Sequence, residues 1–265
     1  MKNKKIVPKM TTLEFRTREA INTLRGNIQM AGYDVKVVAV TSARAHEGKS
    51  SMAFRLAKSL AALNKKTFYL DCDIRNSKTK RRYHIVEKTT GLSEYLCGRE
   101  SIQDIIYRTD DDYFSIIFSG AFAPNPSELI SGALFSELLI KLKEMYDYVV
   151  VDTPPINVVI DAAIIAKHCD STIIVVESGN TDRRDALHAK EQLEYSGAKI
   201  LGVVLNKIPR NGRRYGKYGY GRRYGYGKYG YGKYGYGKYG YGSYGDEEYV
   251  KEVQNHGGAE EKKDE

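Results

Sequence analysis

The sequence contains little tryptophan, proline or cysteine. Among its 265 residues are no tryptophan, six prolines and three cysteines. The cysteines, Cys72, Cys97 and Cys169, form no CxxC spacing, which suits a reduced cytoplasmic compartment where they pack as small hydrophobes. No apolar run approaches about 18 residues, and the opening MKNKKIVPKM lacks the hydrophobic stretch of a signal peptide. We therefore expect neither a membrane span nor a leader, and any work at a membrane requires another protein to bring this one there.

Acidic side chains are absent from residues 210–245, and the segment RRYGYGKYGYGKYGYGKYGYGSYG also lacks Leu, Ile, Val and Phe. Such a segment cannot offset its ordering entropy by burying a core, so we predict that it is disordered. Its cations are Arg210, Arg213, Arg214, Lys217, Arg222, Arg223, Lys228, Lys233 and Lys238. Residues 246–265 carry eight acids against three lysines. A basic block is thus followed by an acidic one, and the rest of the chain, with a formal charge of +5 out of the total of +9, is only mildly basic.

Tyrosine is the abundant residue of this tail. The tail tyrosines are Tyr215, Tyr218, Tyr220, Tyr224, Tyr226, Tyr229, Tyr231, Tyr234, Tyr236, Tyr239, Tyr241, Tyr244 and Tyr249. Exposed tyrosines can accept phosphate, stack on nucleic acid bases or associate with other copies of themselves. Motifs in the rest of the sequence indicate which of these uses applies.

Before the tail, apolar runs of strand length alternate with amphipathic segments. Leu13, Ile21, Leu24 and Ile28 predict an N-terminal helix over 11–30. Strands are expected at 35–42, 66–73, 113–120, 147–155, 170–178 and 198–207, and further helices at 50–63, 91–96, 128–146 and 181–197. Strands that are apolar on both faces and alternate with helices predict an α/β fold with a mostly parallel sheet flanked by helices.

The first strand runs into TSARAHEGKSS and then a helix, an arrangement typical of a phosphate-binding loop. Gly48 permits close backbone approach to a phosphate, Lys49 supplies a point charge, and Ser50 offers a hydroxyl to Mg²⁺. The pattern GxxxxGK[ST] expects glycine where Ala43 stands. The placement between strand and helix nevertheless predicts a nucleotide site.

Three aspartates follow buried strands. Asp71 and Asp73 in FYLDCDIR point to one side of an extended strand, and Asp152 in YVVVDTPP emerges at the carboxyl end of another. Ligands bind at that edge of open α/β sheets. The paired carboxylates are costly unless a cation or an incoming hydroxyl proton lies between them. Asp152 has the position of a Walker B carboxylate, which acts on Mg²⁺ directly or through water.

Together TSARAHEGKSS, FYLDCDIR and YVVVDTPP resemble the Walker A, A′ and B motifs of bacterial tyrosine kinases of the capsular and exopolysaccharide type. NPSELI, GLSEYL and the Tyr-rich terminus are also similar, so the resemblance covers almost the whole chain. It implies a P-loop NTPase core like those of MinD and ParA, which uses ATP and Mg²⁺ to phosphorylate tyrosines of its own tail. Residues 1–34 would be an N-terminal oligomerisation and activator-contact helix, 35–208 the kinase domain and 209–265 the tail.

The resemblance also implies roles for individual residues. The nucleotide would be held by Ala43, Arg44, Glu47, Gly48, Lys49, Ser50, Ser51 and Asn206. Mg²⁺ would be held by Ser50 with Asp71 or Asp152, and Asp71 or Asp73 would accept the tyrosine proton, which spacing cannot decide. The family's ExxRxxRxxI oligomerisation motif falls on Glu19, Arg25 and Ile28, with Asn22 departing from it.

The resemblance further implies partners and a location. These are a membrane-anchored activator of the polysaccharide chain-length-regulator type, further copies of the chain in a ring-like oligomer, and a cognate phosphotyrosine phosphatase. The protein would then be cytoplasmic and peripheral at the inner face of the cell membrane. The alternative is a MinD/ParA-like ATPase switch whose basic, aromatic tail binds nucleic acid. No helix-turn-helix or RNP sequence supports that alternative, so no nucleic-acid partner is expected.

Overall fold

A computed structural model describes residues 5–209. The predicted disordered tail, with all thirteen candidate phosphoacceptor tyrosines, lies outside the described residues. Within them, strands and helices alternate along the chain. The strands are β1 (Val37–Ser42), β2 (Thr67–Asp71), β3 (Tyr107–Arg108), β4 (Phe114–Ile117), β5 (Tyr148–Asp152), β6 (Ser171–Glu177) and β7 (Ile200–Asn206).

These strands form one sheet in the order β3-β4-β2-β5-β1-β6-β7. All neighbouring pairs are parallel except β3 and β4, which are antiparallel. The predicted mostly parallel α/β sheet is therefore confirmed. The edge strand β3 was not predicted, because two residues are too few to show a hydrophobic period.

Helices cover both faces of the sheet. They are α1 (Phe15–Met30), α2 (Lys49–Ala61), α3 (Thr79–Arg82), α4 (Leu92–Leu96), α5 (Ile102–Ile105), α6 (Pro126–Ser131), α7 (Ala133–Met145), α8 (Asp161–Lys167) and α9 (Arg183–Tyr195). The single helix expected over 128–146 is two helices, since Gly132 takes the extended conformation (φ −70°, ψ 158°) and ends α6 before α7 begins. Helix α8 was missed because its buried, alanine-rich sequence shows no polar face.

Side chains of β1 alternate between the two faces of the sheet. Val38 and Val40 pack with Phe54 of α2, whereas Val37 and Ala39 belong to the apolar clusters of the opposite face. Every residue of β1 is buried. Burial on both faces accounts for the continuous apolar run that marks this strand in the sequence.

Helix α1 packs against α2 and the body of the domain. Ile28 is fully buried in the core, and the Arg25 guanidinium donates to the carbonyl and hydroxyl oxygens of Ser59 in α2, both at 2.8 Å. Asn22 donates to the exposed Glu19 carboxylate at 3.0 Å. Of the three residues expected to join subunits, Ile28 and Arg25 are thus engaged within the chain, and Glu19 is exposed. Their role in oligomerisation stays a prediction.

None of the helices between residues 5 and 209 is both long and apolar enough to span a bilayer.

Candidate active site

The carboxyl ends of the central strands β1, β2 and β5 bring the predicted residues to one edge of the sheet. Asp71 ends β2 and Asp152 ends β5, and the two are directly paired in register. Asp152 is also paired with Val40 of β1, two residues before β1 ends at Ser42. The parallel register therefore places two carboxylates side by side at the mouth of the phosphate-binding loop.

The loop turns into α2 through a left-handed residue. Gly48, with φ +96°, is the N-cap of α2, and a Cβ built there would lie 2.2 Å from the Asn206 side-chain nitrogen. Only glycine satisfies both the conformation and the space. The Asn206 amide donates to the Glu47 carbonyl at 2.9 Å. Asn206 at the end of β7 thus fixes the backbone of the loop at Glu47 and Gly48.

Ala43 occupies the position where the motif expects glycine. Its methyl group is fully buried and packs among the residues of the apolar cluster that includes Ile174. Positive φ within the loop occurs at His46 (64°) and Gly48 instead. Position 43 therefore has room for a methyl group and does not require left-handed backbone.

Glu47 and Arg44 fix the shape of the loop. The buried Glu47 carboxylate accepts the Arg44 backbone N–H at 2.9 Å and the Thr181 hydroxyl. Burial raises the pKa of Glu47 despite these hydrogen bonds. The Arg44 guanidinium turns away to Asp185, with Asp182 at 3.4 Å. Its side chain ties the loop to the start of α9, a contact that the sequence did not indicate.

Lys49 lies at the centre of the site. Its ammonium is 3.2 Å from Asp73 Oδ2, 3.2 Å from Ser50 Oγ and 3.9 Å from Asp152 Oδ1. Burial lowers the pKa of Lys49, but Asp152 and Asp73 outweigh burial and raise it overall. The side chain is therefore a cation held among carboxylates, next to the amides of the α2 N-terminus.

Asp71 and Asp152 are almost wholly buried, and burial raises the pKa of both carboxyls. The nearby charge of Asp152 adds to burial at Asp71 and brings its pKa to about 7. Asp71 accepts the Ser77 hydroxyl and the Asp73 backbone N–H. Asp152 Oδ2 accepts the Tyr69 hydroxyl at 3.0 Å. Ser77 and Tyr69 were missed, although Tyr69, two residues before Asp71 on one strand face, could have been found from the period of two.

The site fits a divalent cation bound together with a nucleotide. The buried Asp152 Oδ1 accepts no hydrogen bond from the described residues, and the Lys49 ammonium is 3.9 Å away, so an acceptor is available beside Lys49 and Ser50. Across residues 5–209, no three His, Cys, Asp or Glu side chains form a cage for a metal. Mg²⁺ takes one or two protein carboxylates and completes its octahedron with phosphate and water oxygens, so a cage is not required.

Asp73 differs from Asp71 in what it faces. Asp73 lines the same pocket as Gly48, Lys49 and Ser50, whereas Asp71 does not. Its Oδ1 accepts the Asn76 backbone N–H at 3.0 Å. Of the two aspartates in FYLDCDIR, Asp73 is therefore the one that a ligand beside Lys49 would meet.

An ion pair between the half-buried Arg75 and the buried Asp161 anchors the segment after these aspartates. The Arg75 guanidinium bonds both oxygens of Asp161, at 2.7 and 3.0 Å, and the Ser127 hydroxyl at 2.8 Å. Ser127 also donates to Asp161 at 2.6 Å. The network joins the carboxyl end of β2 to α6 and α8. It was not predicted, because its three members lie far apart in the sequence.

Comparison with known proteins gives a consistent result. The family model described as AAA domain matches residues 35–185. The chain is 41% identical over 209 residues to the tyrosine-protein kinase CpsD of Streptococcus agalactiae, covering 78% of this chain and 91% of that protein. The kinase domain of Escherichia coli tyrosine kinase ETK superposes with a TM-score of 0.70 at 28% identity, covering 79% of this chain and 80% of that chain. The septum site-determining protein MinD of Pyrococcus horikoshii, complexed with Mg-ADP, gives 0.58 at 21% identity over 67% of this chain and 72% of that chain, which shows a shared fold.

Proposed function

This chain belongs to the family of bacterial tyrosine-protein kinases, and on that premise we propose that it transfers the γ-phosphoryl group of ATP to tyrosines of its own tail. The observation that carries the proposal is the position of Lys49, a buried ammonium between Asp73 and Asp152 at the start of α2. A cation and helix amides at one point form a phosphate site. The family relationship indicates phosphoryl transfer to tyrosine, and the tail contains closely spaced tyrosines that could accept the phosphoryl group.

The residues at the edge of the sheet divide the work of phosphoryl transfer, which is mainly positioning and charge neutralisation. Lys49 and the amides at the start of α2 hold the phosphates. Ser50, Asp71 and Asp152 would hold Mg²⁺, which when bound neutralises phosphate charge. Asp152 Oδ1, which accepts no hydrogen bond within residues 5–209, supports this assignment.

We assign the proton acceptor to Asp73. The tyrosine oxygen forms a bond to the γ-phosphorus, the bond to the β-phosphate oxygen breaks, ADP leaves, and the phenolic proton passes to a carboxylate. Asp73 lines the pocket beside Lys49, whereas Asp71 does not. Oδ1 of Asp73 accepts the Asn76 N–H, and Oδ2 accepts a hydrogen bond from Lys49. When a phosphate takes Lys49 as its partner, Oδ2 loses that bond and can accept the proton.

The biological role belongs to the same proposal. The kinase regulates capsular or exopolysaccharide synthesis and export, and works with a membrane-anchored activator of the chain-length-regulator type at the inner face of the cell membrane. It oligomerises through α1, and a phosphotyrosine phosphatase resets its tail. A nucleic-acid-binding ATPase switch has less support, because the MinD comparison at 21% identity concerns the fold alone.

The test is phosphotyrosine mapping by mass spectrometry after incubation with Mg-ATP, with and without the candidate activator. Lys49→Met should abolish tail phosphorylation, while Lys65→Met, at an exposed position, should leave it unchanged. Circular dichroism checks that Lys49→Met remains folded. Phosphorylation that persists in the folded Lys49→Met protein would show that the loop does not perform this role.

A further inference from the structure

A cluster of cations borders the candidate site on the side of α3. The basic rim consists of Lys78, Lys80, Arg81 and Arg82. Lys78 and Arg82 line the same pocket as Lys49, and Arg82 donates to the Ser51 hydroxyl at 2.7 Å. Lys80 and Arg81 belong to the same turn of helix but stand outside that pocket. Positive charge therefore continues from the phosphate site onto the adjoining surface.

Lys80 and Arg81 are not neutralised by the domain. Within residues 5–209, no carboxylate lies within ion-pair distance of either side chain, while cations such as Arg44, Lys58 and Lys143 are paired. Arg81 is exposed and Lys80 is half-buried. Their backbone carbonyls accept the N–H groups of Tyr83, His84 and Ile85. The two side chains thus present charge to whatever approaches the pocket along this side.

One tail tyrosine has a chemical context complementary to this surface. Tyr249 directly follows Asp246, Glu247 and Glu248, whereas the twelve other tail tyrosines lie among the cations of residues 210–245. A chain spans at most about 3.3–3.6 Å per residue, so none of the three acids can lie more than about 11 Å from Tyr249. The acids and the two cations are opposite in sign.

We propose that Lys80 and Arg81 bind residues 246–248 of the tail and thereby make Tyr249 the first tyrosine to be phosphorylated. The inference rests on the proposed kinase function and deepens it, since it names the determinant of substrate order. The unmodified repeat carries cations that the basic rim repels, so its tyrosines enter the pocket more slowly. Opposite charges at an exposed surface attract weakly, and two or three such pairs give about a fivefold to tenfold preference.

The experiment uses the full chain with two tails. In one, Tyr249 is the only tail tyrosine and the other twelve are phenylalanine, and in the other only Tyr249→Phe is made. The double change Lys80→Glu and Arg81→Glu is placed in both, and initial rates of phosphotyrosine formation with Mg-ATP are measured. The Tyr249-only tail should lose about fivefold to tenfold in rate, while the Tyr249→Phe tail should keep its rate or gain.

Two controls isolate the contact. Lys65→Glu with Lys141→Glu makes the same change of net charge at exposed positions outside the basic rim and should alter neither tail. Reversing the acids with Asp246→Lys, Glu247→Lys and Glu248→Lys should restore the rate of the Tyr249-only tail in the charge-reversed rim. A milder pair, Lys80→Gln and Arg81→Gln, repeats the test if circular dichroism shows that the reversed pair is unfolded.

The outcomes distinguish failure of the docking proposal from failure of the kinase function. Unchanged rates, or an equal loss for both tails or in the control pair, would overturn the docking proposal while leaving the kinase in place. A complete absence of phosphotyrosine in the unaltered chain, with the activator present, would overturn the kinase function itself and this inference with it.

Discussion

Asp71 and Asp152 are adjacent carboxylates in a dry environment, and the folded protein favours a proton on Asp71. Burial and the charge of Asp152 raise its pKa from 3.8 to about 7. A carboxyl with a higher pKa in the folded state than in the unfolded chain makes folding less favourable as pH rises from about 4 to about 7. Without a bound cation, the site is therefore a source of instability at neutral pH.

Asp71→Asn should accordingly stabilise the nucleotide-free protein above pH 7, by a few kcal/mol in order of magnitude. At pH 4 the difference should fall below about 1 kcal/mol, because Asp71 is then protonated in the folded state and only about half ionised in the unfolded chain. Urea unfolding at pH 4, 6 and 8 measures the difference, and the exposed Asp112→Asn is the matched control. A variant less stable than the parent at pH 8 would contradict the raised pKa.

Among the elements, α6 and α8 are held to the end of β2 by the bonds of Arg75 with Asp161 and Ser127. Removing Asp161 leaves the partly exposed Arg75 guanidinium without its carboxylate, and losing hydrogen bonds between charged groups costs about 1.5–3 kcal/mol. Asp161→Ala should therefore lower the free energy of unfolding by about that amount. Denaturant unfolding checks it against the exposed Glu137→Ala on α7, for which little change is expected. Similar stability for both variants would show that the network contributes little.

At the opposite edge of the sheet, Asp170 joins the amino ends of β1 and β6. Its carboxylate accepts the backbone N–H groups of Val37 at 2.8 Å and Lys36 at 3.0 Å, and also bonds Lys143. Burial raises the pKa of Asp170, but these hydrogen bonds outweigh burial and lower it overall from 3.8. The stabilisation is present above about pH 4 and is lost as pH falls through the lower pKa of the folded state.

Asp170→Asn should thus lower the free energy of unfolding by about 1–3 kcal/mol at pH 7. The difference from the parent protein should shrink as the pH falls below about 4, since the parent then loses the same charge. Unfolding curves at pH 7, 5 and 3 provide the measurement, with the exposed Asp110→Asn as control. A difference that grows towards acid pH would refute this assignment.

Sequence periodicity predicts the strands of this fold well, because β1, β2, β5 and β6 are buried on both faces and read as continuous apolar runs. Periodicity does not predict an element whose boundary depends on one backbone conformation or on pairing with a distant strand. The break at Gly132 depends on one backbone conformation, and the two residues of β3 are a strand because β4 and Lys5 pair with them.

The same distinction applies to the candidate site. Lys49, Asp71, Asp73 and Asp152 are found from motifs, because each follows a strand within a short pattern. The supporting contacts of Arg44 with Asp185 and of Asn206 with Glu47 join distant segments. No local pattern contains such pairs, so only the folded chain shows them.

For the whole molecule, the charge of the tail predicts a graded response to phosphorylation. Each phosphate adds about −1.5 to −2 charges, so about five phosphates cancel the nine cations of residues 210–245. We expect the unmodified tail to bind acidic surfaces. Multiple phosphorylation should weaken that binding and loosen the proposed association of the chain with its activator and with other copies of itself. Light scattering on species of rising phosphate number measures this, with a tail whose tyrosines are all phenylalanine as control. An assembly state governed by one tyrosine would contradict a charge effect.

The tail joins the domain close to the phosphate-binding loop. Asn206, the last residue of β7, holds the Glu47 carbonyl at 2.9 Å and lies against Gly48, and the tail begins three residues later at Pro209. Strand β7 lies at the edge of the sheet, with β6 as its one neighbour among the described strands. A force pulling on the tail would meet the Lys207–Glu177 ion pair and the Ser178–Asn206 backbone hydrogen bond before it reached the Asn206 amide. Beyond those two contacts, tension in the tail would bear on Glu47 and Gly48 of the phosphate-binding loop through that amide.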